Sequence, residues 1–148
     1  MFKIDLKRTY RAMIKNSVGT DLFKNLFVLK DGESIDILDG GDLSCSFFVS
    51  GVLSYFNLVK APHATVSGLV RDLEESGWTK TEKPKEGDIV VWEAQAQTGD
   101  ELHKHVGFYI SEREAISNSF IKKVPALHHI TFEDTRKVEV LYTNSIIN

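Results

Sequence analysis

The sequence is poor in cysteine, in net charge and in long apolar runs. Cys45 is the only cysteine among 148 residues, which excludes an intramolecular disulfide and a CxxC zinc site but leaves room for a reactive thiol. Acidic residues number 21 and basic residues 18, so the net charge is −3, and the two signs are interspersed along the chain. We therefore expect neither nucleic acid nor an anionic membrane as a partner.

The N-terminal segment has no apolar run long enough for a secretory signal peptide, because charged residues interrupt it at positions 3, 5, 7, 8 and 11. The longest nearly uncharged stretch, residues 43–59, falls short of the ~20 apolar residues that span a bilayer. We expect a protein that is cytoplasmic or exported by a non-Sec route. With 42% hydrophobic and 26% charged residues, the chain 1–148 is predicted to form one globular domain with its own core.

Helical patterns are confined to the first half of the chain. Apolar residues recur at helical spacing over residues 2–14, 49–56 and 66–73. Gly19 and Gly77 are expected to close the first and third helices, and Thr65 is expected to cap the third. The second helix is expected to begin after a cap at Asp42 or Ser44.

Strand patterns predominate in the second half. The predicted strands there are residues 88–92, 105–110, 114–119 and 137–143, and residues 93–104 are predicted to be a loop. Earlier, two short strands over residues 22–29 and 34–38 are predicted on either side of Asp31-Gly32, which tolerates the positive φ angles of a tight hairpin. A helix over residues 20–30 is the alternative. Helices followed by an antiparallel sheet predict an α+β fold.

Cys45 is predicted to lie in the first turn of the second helix. A cysteine nucleophile attacks as the thiolate, and a helix N-terminus beside an imidazole favours that form. Ser44 and Ser46 flank the thiol, and Phe47 and Phe48 follow it, so the sulfur can face a cleft while the helix is anchored below. The alternative is a small, buried and unreactive cysteine.

His105 begins the strand HVGFYI and is the expected imidazole. Alternation places His105 and Gly107 on one face of this strand, so the glycine leaves space for a neighbour of the histidine. Asn118 lies on the next predicted strand, and a turn at residues 112–113 would bring the two strands side by side. A polar group in that place can hold the imidazole tautomer.

Four segments in this order resemble the core of the NlpC-type cell-wall cysteine peptidases. They are GDLSCSFFVSGVL, EGDIVVW, HVGFYI and AISNS. Those enzymes have a cysteine before an apolar helix, then Gly-Asp and two hydrophobic residues at the first core strand, then a His-Val-Gly strand, and then a polar residue on the following strand. The resemblance extends over residues 39–119 of the chain, and HVGFYI is its most specific part.

The resemblance implies a papain-like fold, with N-terminal helices packed on a C-terminal antiparallel sheet. It makes Cys45 the nucleophile, His105 the base and Asn118 the residue that orients the base. The implied protein is a bacterial thiol protease, a hydrolase that cleaves an amide bond of a peptidoglycan stem peptide in the cell wall through a thioester, without a cofactor. The sequence departs from the family pattern at Ser44, where the family usually has aspartate, and it has no tyrosine just upstream of Cys45.

Two alternatives retain the same fold. The CHAP amidases and endopeptidases share the cysteine helix and the Gly-Asp strand, including an aromatic residue like Trp92, although their histidine strand usually lacks the Gly-Phe-Tyr pattern. A non-catalytic binding or adaptor module is the other alternative, and the departure at Ser44 favours it. The presence of cysteine, histidine and asparagine in the expected order favours the enzyme.

The remaining histidines provide further alternatives. Four of them suggest a metal site, namely His103, His105, His128 and His129, since His-x-His on a strand places both rings on one face. No acidic or cysteine ligand has a diagnostic spacing to these residues, so no metal is predicted. His128 or His129 is also the alternative to Asn118 as the residue that orients the base.

Overall fold

The computed structural model describes residues 1–96, 99 and 101–148. Three α-helices form in this part of the chain, namely α1 (Leu6–Asn16), α2 (Cys45–Tyr55) and α3 (Val66–Glu75). The strands are β1 (Phe27–Lys30), β2 (Glu33–Asp36), β3 (Thr79–Lys80), β4 (Ile89–Ala96), β5 (Leu102–Tyr109), β6 (Glu114–Asn118), β7 (Pro125–His129) and β8 (Val138–Thr143). Within the described residues, no helix has the length and apolar character needed to cross a membrane.

The α+β class is confirmed. β1 and β2 form a separate hairpin, and the other six strands form one antiparallel sheet in the order β3-β8-β4-β5-β6-β7. The four strands predicted for the second half of the chain are present as β4, β5, β6 and β8. The sequence does not predict β3, which has only two residues, or β7, which begins at a proline and ends in two histidines.

The loop predicted over residues 93–104 is largely strand, so that prediction is wrong. β4 continues to Ala96 and β5 begins at Leu102. The polar residues of this extension lack the apolar alternation on which strand prediction depends. Three residues of the predicted loop lie outside the described residues, namely Gln97, Thr98 and Asp100.

α1 begins later than the sequence predicts. The Asp5 carboxylate caps the helix by accepting a hydrogen bond from the Arg8 backbone N–H at 3.1 Å. Phe2 therefore lies outside the helix and is exposed, contrary to its predicted place on the apolar face. Tyr10 and Ile14 are buried, as the helical spacing predicts.

The hairpin at Asp31-Gly32 is confirmed. These residues have φ angles of 51° and 85°, and Lys30 pairs with Glu33 across the turn. Two positive φ angles give the two-residue turn whose twist matches that of the flanking strands. The alternative helix over residues 20–30 is wrong, because the strand β1 occupies the end of that range.

Different apolar groups cover the two faces of the large sheet. On one face, the Phe48 ring of α2 meets the Phe108 ring of β5 edge to face, with centroids 5.4 Å apart. On the other face, Trp92 and Tyr109 pack with Phe132. The alternation predicted for HVGFYI is thus confirmed, since Val106 and Phe108 belong to the helix-facing core and Tyr109 to the other.

Candidate active site

Cys45 is the first residue of α2, in the first turn as predicted. Its side chain is partly buried and lines a cavity of about 1100 Å³. Ser44 occupies the cap position, but its side chain makes no capping hydrogen bond within the described residues. The first N–H groups of a helix have no acceptor within the helix, so those at Cys45 and Ser46 can serve an anion in the cavity.

The chain before Cys45 is held in place by a carboxylate and a glycine. Asp36 accepts hydrogen bonds from the backbone N–H groups of Leu38 and Gly40, at 3.1 and 2.9 Å. Gly41 has φ of 108°, and a Cβ there would lie 2.6 Å from the carbonyl oxygen of Lys123. Only glycine allows this close approach, which brings the segment before α2 against the residues that follow β6.

The segment between α2 and α3 is tied to the first turns of α2. Ser46 Oγ donates to the Thr65 carbonyl oxygen at 2.8 Å, and Ser50 Oγ accepts from the His63 backbone N–H at 2.7 Å. Thr65 also caps α3 through its hydroxyl, as predicted. Both serines are buried, and their hydroxyls have hydrogen-bond partners, as buried polar groups generally do.

A buried carboxylate holds the same segment from the other side. Asp72 of α3 accepts from the Lys60 backbone N–H at 3.0 Å and from Ser76 Oγ at 2.8 Å, and its Oδ2 lies 2.6 Å from His63 Nε2. Burial by itself raises the pKa of Asp72, but these hydrogen bonds outweigh it and lower the pKa to about 2. Asp72 is therefore ionised at all but strongly acidic pH.

We expect Asp72→Asn to remove a pH-dependent part of the stability. The folded pKa of about 2 lies below the unfolded value near 3.9, so the ionised carboxylate contributes about 2 kcal/mol above pH 4, and this is lost as pH falls towards 2. Urea denaturation at pH 7, 4 and 2.5 measures the free energy of unfolding. The difference between the native protein and Asp72→Asn should shrink at the lowest pH, and an equal difference at all three pH values would contradict this assignment.

His105 lines the same cavity as Cys45 and is only 5% exposed. Its ring packs against Trp92, with centroids 5.3 Å apart, and against Phe132, with centroids 5.8 Å apart. The Nε2 atom lies 2.8 Å from Ser117 Oγ. The Nδ1 atom is buried and has no hydrogen-bond partner in the part of the chain that the structure describes.

The ring contact predicted for Asn118 is made by Ser117. In the antiparallel register, Ser117 stands opposite Gly107, and alternation puts the Ser117 side chain on the face that carries His105. Asn118 is the next residue on β6, so its side chain lies on the other face. The expected hydrogen bond between Asn118 and the His105 ring does not form, because the strand register places Ser117 there instead.

Asn118 nevertheless belongs to the same cavity. Its side chain is 3% exposed and lines the cavity together with Cys45 and His105. The Nδ2 atom donates to the Gly41 carbonyl oxygen at 2.7 Å, which ties the end of β6 to the chain before α2. Its Oδ1 atom is buried without a partner in the described residues.

His128 extends the contacts of His105 beyond Ser117. Ser117 Oγ lies 2.7 Å from His128 Nε2, and His128 Nδ1 lies 2.8 Å from the His129 carbonyl oxygen. The His128 ring stacks on Phe132, with centroids 4.1 Å apart and planes 15° apart. The alternative in which His128 acts on His105 therefore has a structural path, which runs through the Ser117 hydroxyl.

Burial favours the neutral forms of both Cys45 and His105. It raises the pKa of the Cys45 thiol, although the backbone N–H groups of Val106 and Ser46 and the charge of Arg136 act in the opposite direction. Burial also lowers the pKa of His105 to about 3. At neutral pH the site therefore holds a thiol and an uncharged imidazole.

Arg136 is a cation close to both groups, and sequence reasoning did not identify it. It is 8% exposed. Its Nε and Nη2 atoms donate to the Glu93 and His103 carbonyl oxygens at 2.9 and 2.6 Å, which holds the guanidinium across β4 and β5. Its charge favours the thiolate of Cys45 and disfavours a positive charge on His105.

Sequence reasoning also missed Ser117 as the ring partner. The available indication was alternation: Ser117 is one residue from Asn118, and the choice between them depends on the register of β6 against β5. The four histidines do not form a metal centre, and no group of three or more His, Cys, Asp or Glu side chains in the described residues is arranged to hold a metal ion.

Comparisons with protein-family models and with curated proteins found no match for this chain.

Proposed function

We propose that the protein is a cysteine hydrolase that cleaves an amide bond through a thioester, with Cys45 as the nucleophile and His105 as the base. One observation carries this proposal. Cys45, at the start of α2, and His105 line one cavity, and the Nδ1 atom of His105 is buried without a hydrogen-bond partner in the described residues, Cys45 included. A nucleophile, a base and nearby backbone donors are the groups that acyl transfer requires.

The reaction begins with transfer of the thiol proton of Cys45 to Nδ1 of His105. The sulfur forms a bond to the substrate carbonyl carbon, and the N–H groups at the start of α2 stabilise the oxyanion. The carbon–nitrogen bond then breaks, and His105 gives its proton to the leaving amine. A water molecule, deprotonated by the same nitrogen, hydrolyses the thioester and restores the thiol.

Cys45 and His105 are both neutral before the substrate is attacked, so their charges develop only during the reaction. Since burial raises the pKa of Cys45 and lowers that of His105, the thiolate and imidazolium form together with the attack. Arg136 favours the first charge and opposes the second, so its two effects partly offset each other. The N–H groups near the sulfur remain to stabilise the negative charge as it moves to the substrate oxygen.

The proposed substrate is a peptidoglycan stem peptide or a fragment of one, and the proposed fold family is the papain-like NlpC type. The cavity volume of about 1100 Å³ accommodates a short peptide. Its wall carries both signs of charge, from Arg71, Lys80, Glu74 and Glu139. A mixed lining of this kind fits a peptide that bears both carboxylates and amines. CHAP-like amidase chemistry would use the same nucleophile and base.

A non-catalytic binding module is the second candidate. The burial that raises the pKa of Cys45 and lowers that of His105 makes the resting thiol less reactive than an exposed one. In that case the cavity would bind a peptide without cleaving it. The reactivity of the thiol separates the two candidates.

Alkylation of Cys45 tests the proposal directly, because the chain has no other thiol. Intact mass spectrometry after iodoacetamide treatment gives the rate of labelling at pH 7. General base catalysis contributes about 10²–10⁴-fold to rates, so we expect His105→Ala to label at least about tenfold more slowly than the native protein.

The control is His103→Ala, which removes the side chain of another histidine two residues away on β5. This side chain is more exposed and contacts Glu101 at 3.7 Å. It should label at the native rate, which would show that the loss in His105→Ala is not a general effect on the strand. Equal, slow labelling of all three proteins would overturn the catalytic proposal and favour the binding module.

A further inference from the structure

A continuous chain of hydrogen bonds leads from His105 to the protein backbone. It passes from His105 Nε2 to Ser117 Oγ at 2.8 Å, from Ser117 Oγ to His128 Nε2 at 2.7 Å, and from His128 Nδ1 to the His129 carbonyl oxygen at 2.8 Å. Imidazole nitrogens and hydroxyls can donate or accept, whereas a carbonyl oxygen can only accept. The direction of the whole chain therefore follows from its last member.

The carbonyl oxygen of His129 requires a proton on Nδ1 of His128. Burial lowers the pKa of His128, so this ring is neutral and its Nε2 carries a lone pair. The only hydroxyl proton of Ser117 must then be donated to His128 Nε2. Ser117 Oγ is left as an acceptor, and the proton that it accepts is the one on His105 Nε2.

This assignment leaves Nδ1 of His105 without a proton. The same atom is buried and has no protein partner among the described residues. In the opposite tautomer, Nδ1 would carry a buried and unsatisfied N–H, while Nε2 and His128 Nε2 would compete for one hydroxyl proton. Each buried unsatisfied donor costs about 1–3 kcal/mol, so the chain selects one tautomer strongly.

Aromatic packing keeps the chain from rearranging. The His128 ring is stacked on Phe132 and lies 5.5 Å from the Trp92 ring centroid. His105 packs against the same two aromatic rings. The Trp92 ring is itself held by a hydrogen bond from Nε1 to the Ile130 carbonyl oxygen at 2.6 Å. Both imidazole rings are thus packed against the same two aromatic side chains.

We propose that His128 is a positioning residue, which acts through Ser117 to keep the proton of His105 on Nε2 and to leave Nδ1 as the base. This inference rests on the proposed function for its catalytic meaning, since it assigns His105 Nδ1 as the atom that takes the thiol proton. Ser117 transmits the effect, and the peptide carbonyl of His129 sets its direction. Ser117 and His128 thus orient the imidazole and fix its tautomer, as a carboxylate does in other sites, without adding a negative charge beside the ring.

The tautomer is measured without any substrate. Long-range ¹H–¹⁵N NMR of the ¹⁵N-histidine-labelled protein at neutral pH distinguishes protonated from bare ring nitrogens. We expect His105 to show a protonated Nε2 and a bare Nδ1, and His128 to show a protonated Nδ1 and a bare Nε2. A proton on Nδ1 of His105 in the native protein would overturn the proposal whatever the variants do.

Two substitutions at position 128 separate the hydrogen bond from the packing. His128→Phe retains a ring against Phe132 but removes the acceptor for Ser117, so His105 should become a mixture of tautomers and kcat should fall about tenfold with little change in KM. His128→Gln supplies an acceptor oxygen and should restore most of both. Ser117→Ala interrupts the chain at its middle and should reproduce the effect of His128→Phe on the tautomer, even if one of the position 128 variants folds poorly.

The outcomes for the two proposals can be distinguished. An unchanged His105 tautomer in Ser117→Ala and in His128→Phe would overturn the positioning role, even if the protein hydrolyses its substrate. The expected tautomers in a protein whose Cys45 is unreactive and which has no hydrolase activity would overturn the proposed function and retain the role of His128 in ordering the ring. If His128→Gln and His128→Phe lose the same activity and both keep the native His105 tautomer, the positioning role is overturned. His128 would then contribute only through its packing.

Discussion

Replacing Cys45 with serine should abolish turnover and leave the fold intact. A hydroxyl is far less acidic than a thiol and a weaker nucleophile, so His105 cannot activate a serine at position 45 as it activates the thiol. Removal of a catalytic nucleophile costs up to about 10⁶-fold in turnover, and we expect a loss of about 10⁴-fold or more. Hydrolysis of peptidoglycan stem peptides, followed by chromatography and mass spectrometry, measures this loss.

The stability of Cys45→Ser should change by less than about 1 kcal/mol, because the substitution nearly conserves the side-chain volume at a partly buried position. A double variant, Cys45→Ser with Ser54→Cys, keeps one thiol per chain and moves it towards the C-terminal end of α2. It should be as inactive as Cys45→Ser. Native turnover in Cys45→Ser would show that another group is the nucleophile, and turnover in the double variant alone would show that the position of the thiol is immaterial.

Gly107→Val should destabilise the protein strongly. A Cβ on Gly107 would lie 2.7 Å from the Ile116 carbonyl oxygen and 2.7 Å from Ser117 Cβ, with Trp92 at 3.0 Å. The first contact is to the backbone of the neighbouring strand, so rotation of a side chain cannot relieve it. Overpacking of a core costs about 1–3 kcal/mol. We expect a loss in this range for Gly107→Ala and a larger loss for Gly107→Val, measured by urea denaturation.

Gly107→Val should also weaken the hydrogen bond between Ser117 Oγ and His105 Nε2, because the clash pushes Ser117 away from the histidine ring. The space beside Gly107 lies between β5, β6 and the Trp92 ring, on the sheet face opposite α2. Gly51→Ala is the matched control: its Cβ would lie 3.0 Å from the side chain of Phe23, and alanine favours a helix over glycine by about 1 kcal/mol. A Gly107→Ala protein as stable as Gly51→Ala would contradict the close packing of β6 on β5.

The sequence predicted the features that depend on short-range spacing. The apolar residues after Cys45 recur at helical intervals, so both α2 and the place of the thiol in its first turn were predictable. The strict alternation in HVGFYI predicted β5 and the two faces of that strand. The Asp31-Gly32 hairpin was predictable because its turn geometry requires residues that tolerate positive φ.

The extension of β4 and β5 and the partners of His105 were not predictable in this way. The described strand residues of this range, 93–96 and 102–104, are mostly polar, and Gln95 and Ala96 of β4 pair with His103 and Leu102 of β5. β7 contributes His128 only because Ala115 of β6 pairs with it. Such contacts join residues whose own neighbours in the sequence carry no periodic pattern.

The sequence by itself determined which residue types are available to the site and where each stands on its own element: one thiol at the start of a helix, one histidine on an alternating strand, and polar residues on the next strand. Only the tertiary structure decided that Ser117 rather than Asn118 contacts the ring of His105. It also decided that His128 contacts Ser117 and that the charge of Arg136 acts on His105. The physical reason is strand register, because a shift of one residue moves a side chain to the opposite face of a sheet. The register is set by packing and pairing across the whole sheet, which no local segment encodes.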